Sequence, residues 1–448
     1  MSYDRVIVRR RAMVGRLRLT LAILALAGLG CSFFTRLFTP STLDEAGERG
    51  AGLIAYEGLD GNIYTIDRQG ANRKAVTDDA RLEADNALHF YQFPTWSPDG
   101  SRLAFLHSVR RAGAAHNSGM FTARPDGSEL AEAFSSRDHS PFYIYWSPDS
   151  SRLTVLAANV LEGGLDLLLV PPGGGETRVA ARGQPFYWAW SPHEPVIFIH
   201  AGGAARNQPG ARLSFLDLES NAERRLELPP GSFQAPAWSP GRDRMLLAAE
   251  APAGGDRLVV IDPEGGVQSE LLEVNGFVAF DWSPDGKWVA YLDQAPGSAE
   301  SVVRVLSLVD PERPGEAQRL TTEEVVAFFW SPDSQQIAYL APTFEAPPGS
   351  RESVQNRREL FLRMLVYDLR TGESRQVANF SPTSQFLAII PFFDQYQRSA
   401  TIWSPDSRNL VVAAVGRDQR NGIYVLDASG EEEPRWLVGG DLAFWSWK

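Results

Sequence analysis

The tripeptide Trp-Ser-Pro occurs seven times in this chain, with its tryptophans at Trp96, Trp146, Trp190, Trp238, Trp282, Trp330 and Trp403. Successive copies lie 50, 44, 48, 44, 48 and 73 residues apart, and a broken eighth, Trp445-Ser446, follows after another 42. No other feature constrains the fold as tightly. A period of ~40–50 residues marks a repeat array, in which each unit buries its face on its neighbour. The length of 448 residues would otherwise suggest two or three domains.

Each unit has the same internal grammar. An apolar stretch leads into the tryptophan, as in Phe277-Val278-Ala279-Phe280-Asp281-Trp282. A turn follows, such as Pro284-Asp285-Gly286, in which proline presets φ and Asp and Gly tolerate a tight corner. Then come a short apolar strand (Val289-Ala290-Tyr291), a strand often ending in Asp (Leu258 to Asp262), a polar turn and a fourth strand (Arg319-Leu320-Thr321). Four short strands separated by turn signals make one antiparallel blade.

This grammar resembles the TolB-like, WD40-like β-propeller repeat family, whose unit reads W-S-P-D-G followed by an I-A-F-like strand and an I-Y-like strand ending in Asp. Ser150, Ser334 and Ser407 depart from the glycine, Gly241-Arg242 breaks the Trp238 copy, and His193 replaces the aspartate. The resemblance implies an all-β fold, a single propeller over residues 52–448. The first strand group, Leu53 to Thr77, lacks a Trp-Ser-Pro strand, and Asp441 to Trp447 is a spare one. Pairing them gives eight four-stranded blades, closed by the C-terminal strand on the N-terminal blade, and hides an otherwise open strand edge. Seven blades is the alternative, with the N-terminal strands outside the ring. The motif tryptophans are expected to pack between blades rather than to bind ligands.

Residues 1–30 read as a signal peptide or membrane anchor and residues 31–51 as a linker tether. Six arginines and one acid precede an apolar run from Leu19 to Gly30. That run has the length of a signal-peptide core and falls short of the ~20 residues of a spanning helix. Cys31, after Gly28-Leu29-Gly30, resembles a bacterial lipoprotein box, which implies lipidation at Cys31. Gly28 departs from the usual leucine there, and an uncleaved anchor from Leu19 to Phe34 is the alternative. Either way the body is expected to be extracytoplasmic and to meet the membrane only through this N-terminal anchor or lipid. With one cysteine, no intrachain disulfide is possible. The net charge is −12 although the N-terminus is basic, so the body repels nucleic-acid phosphate and anionic lipid.

Strand direction places the tight turns after Trp-Ser-Pro on one face, the bottom, and the long loops on the other, the top. Those loops are Thr77–Tyr91, Ser108–Gly119, Thr343–Glu359 and Ser381–Ser399, and long loops on a rigid scaffold are where binding usually resides. Thr343–Glu359 carries Arg351, Arg357 and Arg358; Ser381–Ser399 carries an apolar run ending in Phe392-Phe393, then Asp394-Gln395-Tyr396-Gln397-Arg398. The run is expected to cap the channel, contact a partner or pack on its own blade, and the polar residues to line the channel mouth. Seven places before their tryptophans stand His89, His139, Gly183, Gly231, Asn275, Glu323 and Tyr396, expected to ring the top of the channel. His107 and His200 end strands at the same face.

The candidate partner- or ligand-binding residues are therefore His89, His139, Asn275, Glu323, Phe392, Phe393, Asp394, Gln395, Tyr396 and Arg398. Ring positions on non-adjacent blades rarely bring ligands within the ~2.0–2.2 Å that a metal requires, so neither a metal nor a cofactor is expected. There is no G-x-S-x-G elbow, H-E-x-x-H motif or phosphate loop. In prolyl-oligopeptidase-like peptidases a similar propeller is fused to a hydrolase domain; here the repeats run to the last residue, so none is expected. The expected function is that of a monomeric, non-catalytic binding scaffold whose top face recognises an envelope protein or peptide, as TolB-like proteins are thought to do. The alternative is binding or cleavage of an anionic glycan, or another small ligand, in the channel.

Overall fold

The structure, a computed structural model, describes residue 50 and residues 52–448 except 85–86, 112–116, 203–209, 242, 253, 275, 295–302 and 346–359. Eight antiparallel sheets follow one another along the chain as the blades of a ring. Blade 1 is closed as the repeat count requires. Leu442–Trp445 pairs with Ile54–Glu57, in the register Ile54↔Trp445 to Glu57↔Leu442. Ser446 Oγ accepts from the Leu53 amide (2.9 Å), and the Ser446 amide donates to Leu53 O (2.8 Å). Eight blades, not seven, complete the ring.

Strands that would alternate in a two-layer sheet are apolar on both faces here, because every blade is covered on both sides. In blade 3, Leu153, Val155 and Ala157 pack with Ala104, Leu106 and Met120 of blade 2. Leu156, one step out of phase, packs with Trp188, Trp190 and Ile197 of blade 4.

The motif tryptophans lock this stacking. The indoles of Trp96, Trp146, Trp282 and Trp403 donate to the carbonyls of Phe444, Thr95, Ala237 and Phe329 at 3.3, 3.1, 3.0 and 3.0 Å. Each acceptor stands one place before the preceding blade's own motif tryptophan. Below them the Ser-Pro-Asp turns are self-contained, with Ser97 Oγ donating to Asp99 Oδ1 (2.6 Å) and Ser283 Oγ to Asp285 Oδ1 (2.7 Å).

The serines that replace glycine have a physical reason. Gly100 and Gly286 sit at φ +73°, and Ser150, Ser334 and Ser407 adopt φ +61°, +63° and +60°, strained for a residue with a Cβ. Each serine hydroxyl compensates by accepting from the amide of the preceding blade's motif aspartate: Asp99, Asp285 and Asp333, at 3.2, 3.0 and 3.0 Å. The departures from the repeat thus tie neighbouring blades together.

Two blades differ from the four-stranded expectation. Blade 2 gains a fifth strand, Arg81–Ala84, paired to Ala87–Trp96. Blade 8 keeps three ladder strands, and its innermost position is reduced to the bridges Trp403↔Leu410 and Thr401↔Trp445. The chain that should have fed that strand is used elsewhere.

Candidate functional site

Residues 381–400, between blades 7 and 8, form a plug rather than a loop. Helix α1 (Ser384–Ile389), a 3₁₀ turn (Ile390–Phe392) and helix α2 (Phe393–Tyr396) succeed one another. Thr383 caps α1, its Oγ1 accepting from the Phe386 amide (3.2 Å) while donating to Asp441 O (2.6 Å). Phe386, Ile389, Ile390 and Phe393 recur at helical spacing and are buried with blades 7, 8 and 1. Leu387 and Phe392 point outward, 42% and 50% exposed.

The polar end of the plug reaches the inner strands of the other blades. Gln395 O accepts from Tyr143 OH (2.7 Å) in blade 3. The Gln395 side chain spans the blade 4 strand, accepting from Trp188 N (3.2 Å) and donating to Trp188 O (3.1 Å). Asp394 Oδ2 accepts from the Ala235 amide of blade 5 (2.9 Å). Arg398 Nη1 donates to Asp281 Oδ1 of blade 6 (2.6 Å). Phe393 packs on Phe328 of blade 7 at 5.4 Å, and Tyr396 on Phe93 of blade 2 at 6.2 Å. Inner strands line the channel, so a segment that touches six of them stands inside it. Its partners lie one to three residues above the motif tryptophans, which puts the plug well below the mouth.

Burial shapes the electrostatics. Desolvation pushes the Asp394 carboxyl up to about 6, against the opposing pull of the Ala235 amide and Arg398. It also raises Asp281 despite Arg398. Glu57, buried in blade 1 and accepting from the Phe93 amide at 2.5 Å, is pushed up to about 8.

These positions change the reading of the expected channel rim. Phe393, Asp394 and Gln395 are buried and Tyr396 and Arg398 half-buried, all engaged by the protein's own blades; Phe392 alone of this group is exposed. Of the residues seven before a motif tryptophan, His89, His139 and Glu323 turn along their own blades. His139 Nε2 meets Asp166 Oδ2 at 3.0 Å, and Asn159 and Arg182 hold the same carboxylate. Glu323 pairs with Arg363, two strands outward in blade 7. His89 lies on the blade 1 side of blade 2, 3.9 Å from Asp79. Among the described residues no three His, Cys, Asp or Glu converge to hold a metal. Asn275, Cys31, Arg351, Arg357 and Arg358 lie outside the described residues. Capping of the channel was among the expectations for this run, but its helical form was not, although the Phe386-Ile389-Ile390-Phe393 spacing signals it.

No protein-family profile and no curated protein matches the chain. Similar solved structures include a eukaryotic initiation factor, 13% identical over 88% of this chain and 98% of that one, with a TM-score of 0.51. An oligogalacturonate lyase in complex with manganese is 14% identical over 82% and 88%, with a TM-score of 0.48. TolB from Acinetobacter baumannii is 14% identical over 80% and 82%, with a TM-score of 0.36. At such identities the likeness is one of fold alone. The protein is an eight-bladed β-propeller. Its central channel is filled by its own chain.

Proposed function

We propose that this protein is a non-catalytic, extracytoplasmic binding scaffold whose long-loop face recognises a protein or peptide partner. One observation carries the reading. Of thirteen large apolar side chains exposed among the described residues, eight stand in the top-face loops and the plug, foremost Leu161 at 73%, Phe344 at 69%, Val160 at 63% and Phe392 at 50%. An exposed apolar surface with polar surroundings is what a protein partner covers. The plug supports the same reading from beneath, since it occupies the channel that a small ligand would otherwise enter. The alternative, a glycan bound or cleaved in the channel, has less support because Asp394 and Arg398 are already engaged and His89, His139 and Glu323 are not gathered. Export rests on the N-terminal pattern. Among the described residues no helix is long and apolar enough to cross a membrane.

The test is site-specific photo-crosslinking in the full chain, expressed in a bacterial envelope. A photoreactive residue at Leu161 or Phe392 should yield one discrete adduct, and one at Val267 on the bottom face should not. Adducts of equal yield from both faces, or none from the top, would overturn the proposal. Leu387→Ser with Phe392→Ser should abolish the adduct formed from Leu161 while leaving the melting temperature unchanged, because neither side chain is buried.

A further inference from the structure

Blade 1 ends in an outer strand of two residues, Lys74–Ala75. It therefore leaves part of the face that blade 2 turns toward it uncovered. A groove of about 420 Å³ remains there, lined by Asp79, Arg81, His89, Tyr91, His107, Val109, Phe121 and Leu130. No residue of the plug lines it.

Side chains at alternate places on three strands build its floor. The rings of His89 and His107 meet edge-on at 4.7 Å, His107 packs on Phe121 at 4.9 Å, and Tyr91 lies 5.1 Å from both imidazoles. Tyr91 OH donates to Asp79 Oδ1 (2.9 Å), which leaves Asp79 Oδ2 facing His89 Nδ1.

Two buried atoms lack partners. His107 is 8% exposed and lines the groove, yet its Nδ1 has no hydrogen-bond partner among the described residues, and neither does His89 Nε2. Leaving a buried polar atom unpaired costs about 1–3 kcal/mol, so each such atom calls for an explanation. Burial, then the neighbouring His89, lowers the His107 pKa to about 4, so at neutral pH its ring is uncharged and offers one N–H and one lone pair.

We infer that this groove is a binding site for a small neutral saccharide, independent of the top-face partner. A sugar hydroxyl both donates and accepts, so it satisfies an uncharged imidazole in either tautomer. Asp79 accepts hydrogen bonds from the hydroxyls and Arg81 donates at the mouth. The apolar C–H face of the ring rests on Phe121, Val109 and Leu130. A uronate would face the Asp79 carboxylate, and among the described residues no three His, Cys, Asp or Glu converge here to hold a metal.

The experiment is saturation-transfer NMR of the soluble body (residues 41–448) with glucose, galactose and N-acetylglucosamine, beside galacturonate and Zn²⁺ titrations. Wild-type protein should transfer saturation to at least one neutral sugar. His107→Phe keeps the ring packing and removes the unpaired nitrogen. It should weaken sugar binding by about tenfold or more, the equivalent of one lost buried hydrogen bond, while raising the melting temperature. A purely structural histidine would show the opposite thermal change. Leu130→Trp should block the groove without unfolding the blade, since Leu130 is exposed. The inference fails if no neutral sugar binds, if binding survives in His107→Phe and Leu130→Trp, or if only galacturonate or Zn²⁺ binds. Crosslinking from the top face is unaffected by either substitution, so this inference and the proposed partner face fail separately.

Discussion

Removing Arg398 should be among the most damaging single changes in the channel. Its guanidinium donates to Asp281 at 2.6 Å, and the two side chains are 13% and 16% exposed. Taking away one member of a buried ion pair strands the other charge, at a cost of about 3–5 kcal/mol. Replacing both with apolar side chains of similar volume is close to neutral, because the desolvation cost of the pair disappears with its attraction. Arg398→Met should therefore lose about 3–5 kcal/mol, whereas Arg398→Met with Asp281→Leu should recover most of that loss. Urea unfolding of the soluble body, read by tryptophan fluorescence and linear extrapolation, measures all four corners of the cycle. Hydrogen exchange at Trp188, whose amide the plug holds through Gln395, reports whether the plug itself has loosened. If Arg398→Met costs less than about 1 kcal/mol, or if the two substitutions simply add, the pair does not anchor the plug and the reasoning is wrong.

Three other outcomes follow from the structure. The melting temperature should fall as pH rises from about 5 to about 8.5. The native state keeps protons on Glu57 (pushed up to about 8) and Asp394 (about 6) that the unfolded chain has released, so stability is lost as pH climbs through those values. Glu57→Gln should flatten most of that slope. Ser334→Gly should be within about 0.5 kcal/mol of wild type, since relief of the strained φ offsets the lost bond to the Asp285 amide, whereas Ser334→Ala should lose about 1 kcal/mol; chemical denaturation distinguishes them. A lipoprotein should incorporate labelled palmitate in bacteria and lose the label in Cys31→Ala; unlabelled wild type would leave the uncleaved anchor as the reading.

The repeat was legible because it is a packing rule written eight times. Each tryptophan must reach the blade before it, so its spacing reports blade size, and the spare strand at Leu442–Trp445 reports closure. The site was less legible for two reasons. Counting back seven residues from Trp96, Trp146 and Trp330 finds the top of an inner strand but not which way a side chain turns, and His89, His139 and Glu323 turn along their blades. The polar run Asp394 to Arg398 also looks like a solvated loop by composition. Its partners are backbone amides and carbonyls at Trp188 and Ala235, which present no composition signal at all. The blade 1–2 groove depends on the shortness of the Lys74–Ala75 strand, a length that turn and strand patterns fix poorly.

The pairing of Ile54–Glu57 with Leu442–Trp445 has a consequence for biogenesis. The first blade to be synthesised waits for the final ring strand before it has an inner edge. Until that strand arrives, the chain cannot close, and its open edge and the empty channel face keep it from locking into a finished body. Such a topology delays commitment to the native state until Leu442–Trp445 has been made. On the proposed export, a chain threaded unfolded across a membrane benefits from that delay. A copy cut short of Leu442 would present an unpaired Ile54–Glu57 edge, a mark by which proteases or chaperones distinguish incomplete molecules from finished ones.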